Sequence, residues 1–308
     1  PDSLNSILNG YADKYYYKKI TKLVSSIVDL SDYKIVGLSV SYMSQLFFAL
    51  NIAKVIKAIY PNIFIVLGGA QITENIEKLA SCECLLSFVD AFVVNEGEET
   101  IYQLINKFQT KDFAGIPNFF FKQQLDGKLY YKQSSSKFFL SESDVAVTDF
   151  SGFNFPDYEY VLPVLTSKGC FWGKCNFCTL HLLESKKYFE FSADIVIQII
   201  QTLKKRYNIS QFIFINDEIS AKFIEDLSTI VVKDDIKLSW RSFSILLPNF
   251  LDIKFCRLLT LSGCNFLHIG LETISPRLLK VMNKPQKNMD VLQMKQILSN
   301  LNKVGVNS

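Results

Sequence analysis

The sequence predicts an α/β protein of two domains, each built around a parallel sheet. Short apolar, β-branched runs alternate with amphipathic helical segments along most of the chain. A polar, turn-rich stretch at 134–161 interrupts this alternation once. The 308 residues are enough for two cores. We therefore predict a first domain over 1–140, a linker over 141–160 and a second domain over 161–308.

Composition argues against several functional classes. The formal charge of +3 is spread along the chain, so we expect no nucleic-acid partner. The longest apolar segment, LFFALNIAKVIKAIY, is broken by Asn51, Lys54 and Lys57, so we expect a core helix and no membrane span. The chain begins with Pro1 instead of methionine, so we expect a fragment or a processed chain.

In the first domain, three apolar runs have the continuous hydrophobicity of buried parallel strands, and each leads into a helical segment; they are 34–42, 63–70 and 90–99. This predicts an open sheet of Rossmann or flavodoxin type, which binds ligands at the carboxyl ends of its strands. Residues 116–133 are two aromatic-rich strands around Asp126-Gly127, which predicts a β-hairpin.

The second domain contains four strand–helix units in one direction, with strands at 161–167, 212–216, 236–244 and 265–271. Four such units predict part of a TIM-like (β/α) barrel. The sequence stops just after Gly305, where a fifth strand would be expected, so we expect the barrel to be truncated here.

The loop after the first of these strands carries three cysteines in GCFWGKCNFC, namely Cys170, Cys175 and Cys178. Three close thiolates suit either an iron–sulfur cluster with one open iron or a zinc ion. His181 would supply the fourth zinc ligand. The aromatic residues between the thiols and the position at a barrel mouth favour the cluster, and zinc stays open.

Cysteine usage also indicates the redox compartment. Seven cysteines, three of them in one loop, favour metal ligation in a reducing compartment over a disulfide framework. Cys82 and Cys84 lie close in sequence but have no third partner nearby, so no role is assigned to them.

The segments FPDYEY and LPVLTSKGCFWGKCNFC resemble the radical SAM superfamily, in its branch with an amino-terminal cobalamin-binding domain. The spacing C-x4-C-x2-C departs from the usual C-x3-C-x2-C but is similar to a variant within that branch. The resemblance implies that the three cysteines ligate a [4Fe–4S] cluster. It also implies that S-adenosylmethionine (SAM) binds the open iron and is cleaved reductively to methionine and a 5′-deoxyadenosyl radical.

The resemblance further implies a set of SAM contacts. Phe177 would lie near the adenine, Asp217 or Glu218 would accept the methionine ammonium, and Glu272 would line the pocket. Arg241, Ser242 and Ser244 are candidates for the carboxylate or ribose, although strand alternation allows only one face to reach it. The ordinary alternatives are that Asp217 begins the next helix and that Glu272 is a helix-start carboxylate.

VGLSVSYMSQ, VLGGAQIT and NEGEE resemble the three ligand loops of the cobalamin domain. The resemblance implies three groups of cobalamin contacts: side chains lining the nucleotide tail (Ser39, Ser41, Tyr42, Gln45), positions of close backbone approach (Gly68, Gly69, Ala70) and flanking residues (Glu96, Gly97). No D-x-H-x-x-G motif occurs and no histidine precedes His181, so this domain cannot supply a lower histidine ligand.

The implied activity is that of a cobalamin-dependent radical SAM enzyme, a class B-type methyltransferase. It would methylate or otherwise modify an unactivated carbon of a peptide or natural-product substrate in the cytoplasm, with an electron donor such as flavodoxin or ferredoxin. Two alternatives stay open. One is a radical SAM enzyme with a vestigial first domain that performs cyclisation or rearrangement. The other is a non-catalytic module with a Cys3His structural zinc.

Overall fold

The structure is a computed structural model that describes residues 14–27, 29–153, 160–178, 180 and 188–308. The chain divides into two compact units, Pro1–Leu140 and Ser141–Ser308. Within the described ranges, no helix has both the length and the apolar character that crossing a bilayer requires.

Unit 1 is a five-stranded sheet with helices against both faces. Its strands are β1 (Ile35–Ser39), β2 (Phe64–Gly68), β3 (Ala91–Val93), β4 (Phe119–Leu125) and β5 (Lys128–Gln133). Its helices are α1 (Lys14–Ile27), α2 (Met43–Ile59), α3 (Ala70–Ser81) and α4 (Glu98–Lys107). The first three strands are parallel and the last two antiparallel, which confirms the predicted strands and hairpin.

The strand order of this sheet is simpler than the sequence suggests. The strands lie in chain order, β1-β2-β3-β4-β5. Rossmann and flavodoxin sheets reverse their order at a switch point, where the ligand crevice opens. The sheet of the described residues has no such reversal, so a ligand site here must form against a sheet face beside the strand ends.

Each face of the sheet has its own apolar core. Successive side chains of β2 point to opposite faces of the sheet. Ile65 and Leu67 pack on one face, among residues of α2 and α3. Val66 lies on the opposite face, in a cluster with Leu104 of α4 and with Phe119. Because α4 alone supplies a helix to that second cluster, its core is the smaller one.

Asp90 ties the start of β3 to its neighbours. Its carboxylate pairs with Lys57 at 2.7 Å and Lys122 at 2.9 Å, with all three side chains less than a fifth exposed. It also accepts a hydrogen bond from the backbone N–H of Ile65 at 2.8 Å. One buried carboxylate therefore pairs with two lysines, one from a helix and one from a strand.

Unit 2 contains a four-stranded parallel sheet. Its strands, in the spatial order β11-β10-β9-β6, are β6 (Leu162–Leu165), β9 (Gln211–Ile215), β10 (Ser239–Ser244) and β11 (Cys264–Ile269). Its helices are α5 (Ala193–Tyr207), α6 (Ala221–Lys233), α7 (Ile253–Leu261), α8 (Pro276–Val281) and α9 (Val291–Lys303). A short ribbon pairs β7 (Ser167–Lys168) with β8 (Phe189–Glu190). The parallel order confirms the partial barrel.

Helices pack against one face of this sheet, and the other face is open. Phe214 stacks on Trp240 with ring centroids 4.7 Å apart, and Phe223 of α6 packs on Phe214, so this face carries the helices. On the other face Phe243 and Phe266 are exposed. Parallel pairing also extends beyond β11, since Asn307 bridges to Phe266.

Cys82 and Cys84 form a disulfide between the end of α3 and the 3₁₀ helix Glu83–Ser87. The sequence favoured reduced cysteines and assigned this pair no role, so the disulfide is a difference from expectation. Cys84 is exposed, while Cys82 packs against the core of α2 and α3. The other five cysteines are free thiols.

Replacing Asp90 by Asn should lower the free energy of unfolding of unit 1 by about 3–5 kcal/mol, because two poorly exposed lysines lose their common counter-ion. Urea unfolding followed by circular dichroism measures the change. Glu83→Ala is the control, since its ion pair with Lys128 is exposed and should contribute less than about 1 kcal/mol. Equal effects of the two substitutions would contradict the assignment.

Candidate functional site

The cysteine loop, residues 169–178, directly follows β7 and is tied to the turn after α8. The indole N–H of Trp172 donates to the carbonyl of Asn283 at 2.8 Å. The Asn283 side chain in turn donates to the carbonyl of Lys174 at 2.7 Å. Asn176 donates through its side chain to Val281 at 2.7 Å and through its backbone to Met282 at 3.0 Å. We call these contacts the loop clamp.

Glycines allow the loop to leave the strand and turn. Gly169 and Gly173 have φ values of 74° and 55°, in the left-handed region where a side chain is disfavoured. The N–H of Gly169 donates to the Asp217 carboxylate at 3.0 Å, which fixes the start of the loop to the end of β9.

The three thiols of the loop are half-buried and interact electrostatically. Burial raises the pKa of Cys170 and of Cys175, and the charge of Cys178 adds to both effects. The backbone N–H groups of Gly173 and Trp172 act in the opposite direction by donating to the Cys170 sulfur. Amide donors aimed at a thiolate are a feature that tunes iron–sulfur sites.

The described side chains do not form a ready site for a single metal ion. Among the described residues, no three histidine, cysteine or acidic side chains are grouped as ligands of a single metal ion. A cluster binds each thiolate through a different iron, so three soft sulfur donors on one short loop fit a cluster without such a grouping. His181, the fourth ligand of the zinc alternative, lies outside the described residues.

Asp217 and Glu218 have different environments at the end of β9. Asp217 is exposed and braces Gly169, while α6 begins only after Ser220, whose hydroxyl caps Phe223. Glu218 is 2% exposed and accepts N–H bonds from Ile245 at 2.6 Å and from Ile219 at 3.1 Å. Asp217 is therefore not the start of the next helix.

Burial raises the pKa of Glu218 to about 7. The N–H groups of Ile245 and Ile219 and the Lys284 ammonium lower this pKa, but desolvation is the larger effect. A cationic ligand group beside Glu218 would stabilise the charged carboxylate and lower this pKa.

At the end of β11, Glu272 adopts a left-handed backbone conformation with φ 61°. Its carboxylate lies 3.5 Å from the Lys284 ammonium, and its side chain is 42% exposed. Helix α8 begins at Pro276 after the N-cap Ser275, so Glu272 does not start that helix. Phe177 of the cysteine loop is also exposed, with Lys284 at 5.8 Å from its ring centroid.

The three candidates on β10 separate onto two faces. Arg241 is exposed on the face that lacks helices. Ser242 and Ser244 are each 3% exposed, on the face that carries Trp240. The Ser242 hydroxyl donates to Asn216 at 3.0 Å, and the Ser244 hydroxyl donates to the carbonyl of Ile245 at 2.8 Å. Only Arg241 shares the open face with His268 and Phe243.

Unit 1 has an open cleft of about 540 Å³ at the carboxyl ends of β1, β2 and β3. Four residues implied for cobalamin line it: Ser39, Gly68, Gly69 and Gly97. Gly37 also lines it, and a Cβ at Gly37 would meet no atom within 4 Å. The cleft is therefore lined by glycines together with apolar side chains such as Val66, Val93 and Ile101.

The other implied cobalamin residues lie beside the cleft. Gln45 caps α2, with its side-chain oxygen accepting N–H bonds from Ser41 at 2.8 Å and Tyr42 at 3.1 Å. Tyr42 is 69% exposed. Ala70 begins α3, and Glu96 is buried in the turn before α4.

Gly69 is required by the protein itself. It has φ 102°, and a Cβ there would lie 2.6 Å from the carbonyl oxygen of Val40. Sequence reasoning assigned the glycine to ligand approach, but the backbone of β1 already needs it. Gly37 was not predicted because a glycine inside a strand has no local motif, and Lys284 was not predicted because isolated lysines are usually exposed.

A thiol loop at the carboxyl edge of a parallel half-barrel, preceded by an α/β unit with an open cleft, defines the class of iron–sulfur barrel proteins with an added ligand-binding domain. Family profiles match both parts: Radical SAM superfamily over residues 164–307 and B12 binding domain over residues 8–105. The chain therefore contains a B12-binding domain followed by a radical SAM domain.

Among curated proteins, the chain is 26% identical over 298 residues to an uncharacterized methyltransferase of Pyrococcus horikoshii, covering 93% of this chain and 62% of the relative. It is 30% identical over 152 residues to bacteriochlorophyllide d C-12(1)-methyltransferase of Chlorobaculum tepidum, covering 47% of this chain and 32% of the relative. The chain thus spans less than two thirds of the length of either relative.

Among solved structures, the radical S-adenosylmethionine methyltransferase TsrM of Kitasatospora setae, with cobalamin and a [4Fe–4S] cluster bound, matches with a TM-score of 0.63. The identity is 17%, and the match covers 96% of this chain and 58% of that one. A second TsrM structure, with tryptophan substrate and the SAM analogue aza-SAM, matches at 16% identity with the same TM-score. At these identities the likeness concerns the fold.

Glu218→Gln should change how stability depends on pH. The pKa of Glu218 is about 7 in the folded state and ordinarily 4.5, so the folded state binds the proton more tightly than the unfolded state. Stability is therefore lost as pH rises from about 5 to 8, by up to about 3 kcal/mol. Gln keeps an acceptor for both N–H groups and lacks this loss.

Urea unfolding of the wild type and of Glu218→Gln, without cluster, at pH 5 and pH 8 measures the difference. The variant should gain stability relative to the wild type at pH 8. A difference between the two proteins that is the same at both pH values would show that Glu218 does not titrate in this range.

Proposed function

We propose that this chain provides the cofactor-binding part of a cobalamin-dependent radical SAM methyltransferase. The observation that carries the proposal is the cysteine loop, clamped at the carboxyl edge of the parallel sheet beside Glu218 and Glu272. The B12-binding profile on the same chain and the methyltransferase names of both curated relatives support it.

In this proposal Cys170, Cys175 and Cys178 hold a [4Fe–4S] cluster. When bound, the cluster supplies an electron for the cleavage of SAM, and cobalamin supplies a transferable methyl group. The buried Glu218 and the exposed Asp217 offer acceptors for an ammonium group. Phe177 offers an exposed ring on the loop. The Lys284 ammonium lies near this ring and near the Glu272 carboxylate.

The cleft of unit 1 would take the cobalamin. Its glycines leave an open surface along β1 and β2, which fits a ligand segment that lies against the sheet. The described residues of unit 1 contain no histidine that could serve as a lower ligand to the cobalt. Binding would therefore depend on shape and on backbone contacts at the strand ends.

For the substrate we propose a small molecule or peptide that presents an unactivated carbon. The open face of the unit 2 sheet supports this, because Phe243, Phe266 and Ile215 are exposed there with His268 and Arg241. The TsrM structure contains a small-molecule substrate, tryptophan. An electron donor such as flavodoxin or ferredoxin and a cytoplasmic location complete the proposal.

Cys175→Ala should abolish the cluster, since two thiolates do not hold it. After anaerobic reconstitution, the wild type should contain about four irons and matching sulfide per chain. Its reduced EPR signal should change on adding SAM, and the variant should lack both. Cys264→Ala, which removes a free thiol outside the loop, is the control. One zinc per chain without sulfide would instead support the structural zinc alternative.

Gly37→Val should weaken cobalamin binding at least tenfold without unfolding unit 1. The new side chain projects into the cleft, meets no protein atom within 4 Å and suits a β-strand. Equilibrium dialysis with hydroxocobalamin measures affinity, and circular dichroism checks the fold. Gly152→Val, in a turn of unit 2 with equal space, is the matched control. Unchanged affinity in Gly37→Val would place cobalamin elsewhere.

A further inference from the structure

Lys284 is the one buried lysine or arginine in the described part of the chain, with 5% of its surface exposed. Its backbone is held firmly, since its N–H donates to the carbonyl of Leu279 at 3.0 Å. The following 3₁₀ turn is fixed to the end of β11, because the Gln286 side chain donates to the carbonyl of Leu271 at 3.1 Å. Hydrogen bonds therefore fix the backbone at Lys284 and in the turn that follows, which restricts the position of the ammonium.

Titratable groups from three elements lie around this ammonium. Glu272, after β11, lies 3.5 Å away. Lys284 also interacts electrostatically with Cys175, on the cysteine loop, and with Glu218, after β9. Phe177 covers the ammonium with its ring at 5.8 Å. Lys284 thus lies where the cysteine loop meets the ends of two strands.

The ion pair with Glu272 is too weak to account for burying this charge. Its distance of 3.5 Å is long, and the Glu272 side chain is 42% exposed, so water screens it. Removing an ammonium from water costs several kcal/mol unless it is well paired. A cluster held by three thiolates would supply additional negative charge beside this ammonium.

We infer that Lys284 is a positioning residue that acts through the cysteine loop to favour the reduced state of the bound cluster. Reduction adds one negative charge to the cluster. A fixed cation in a poorly hydrated site stabilises that added charge more than the oxidised form. The inference rests on the proposed function, since it requires the cluster on Cys170, Cys175 and Cys178.

The neighbouring lysines do not occupy an equivalent position. Lys287 and Lys174 lie over the Trp172 ring at 5.6 Å and 5.5 Å, and Lys287 also donates to the Asn283 side chain at 2.6 Å. Lys287 is half-buried and follows Lys284 by three residues. It is therefore a matched control: a lysine of the same turn, near the same loop, whose charge is more hydrated.

The experiment is an anaerobic redox titration of the reconstituted protein with dithionite, followed by the EPR signal of the reduced cluster. Lys284→Met keeps the length of the side chain and removes the charge. It should lower the midpoint potential by about 59 mV, a tenfold change in the ratio of reduced to oxidised cluster. Lys284→Arg should stay near the wild type, and Lys287→Met should shift by clearly less than Lys284→Met.

A Lys284→Met potential equal to that of the wild type would overturn the inference. If Lys284→Met assembles no cluster, Lys284→Arg decides: assembly at the wild-type potential supports a requirement for charge, and failure of both variants shows that side-chain shape alone matters. A wild-type protein without iron or EPR signal would instead refute the proposed function, so the two failures are distinguishable.

Discussion

The loop clamp is the interaction on which the candidate site of unit 2 depends. The ten-residue cysteine loop contains two glycines in left-handed conformations and no regular secondary structure, so its own backbone cannot hold three thiols in place. Hydrogen bonds from Trp172 and Asn176 to the turn after α8, and from Asn283 back to Lys174, supply that rigidity. Each of these contacts spans more than a hundred residues.

The clamp also explains how the end of β11 comes to face the thiols. The turn that accepts the Trp172 and Asn176 hydrogen bonds continues directly into Lys284, and Lys284 pairs with Glu272. At the other end of the loop, Asp217 binds the N–H of Gly169. Acidic groups from two strand ends and one buried cation are therefore positioned by the same contacts that fix the cysteines.

Sequence reasoning was strongest where a local pattern has one structural solution. Continuous apolar runs predicted the parallel strands, and Asp126-Gly127 predicted the hairpin, because that turn requires positive φ at both residues and has φ 50° and 78°. Sequence reasoning was weaker where long-range packing determines the structure. The consecutive strand order of unit 1 and the disulfide of Cys82 with Cys84 both depend on contacts that no local pattern encodes.

Gly37 and Lys284 show why parts of both candidate sites were not predicted from sequence. A glycine within a strand normally weakens it, and a lysine after a helix normally points into water, so neither residue type signals a site. What distinguishes them is what the fold does around them: it leaves space above Gly37 and removes water from Lys284. Both departures cost stability locally, one by omitting a side chain and the other by desolvating a charge. Such costs at the carboxyl edges of two separate sheets, in the positions where parallel strands bind ligands, are best explained by binding.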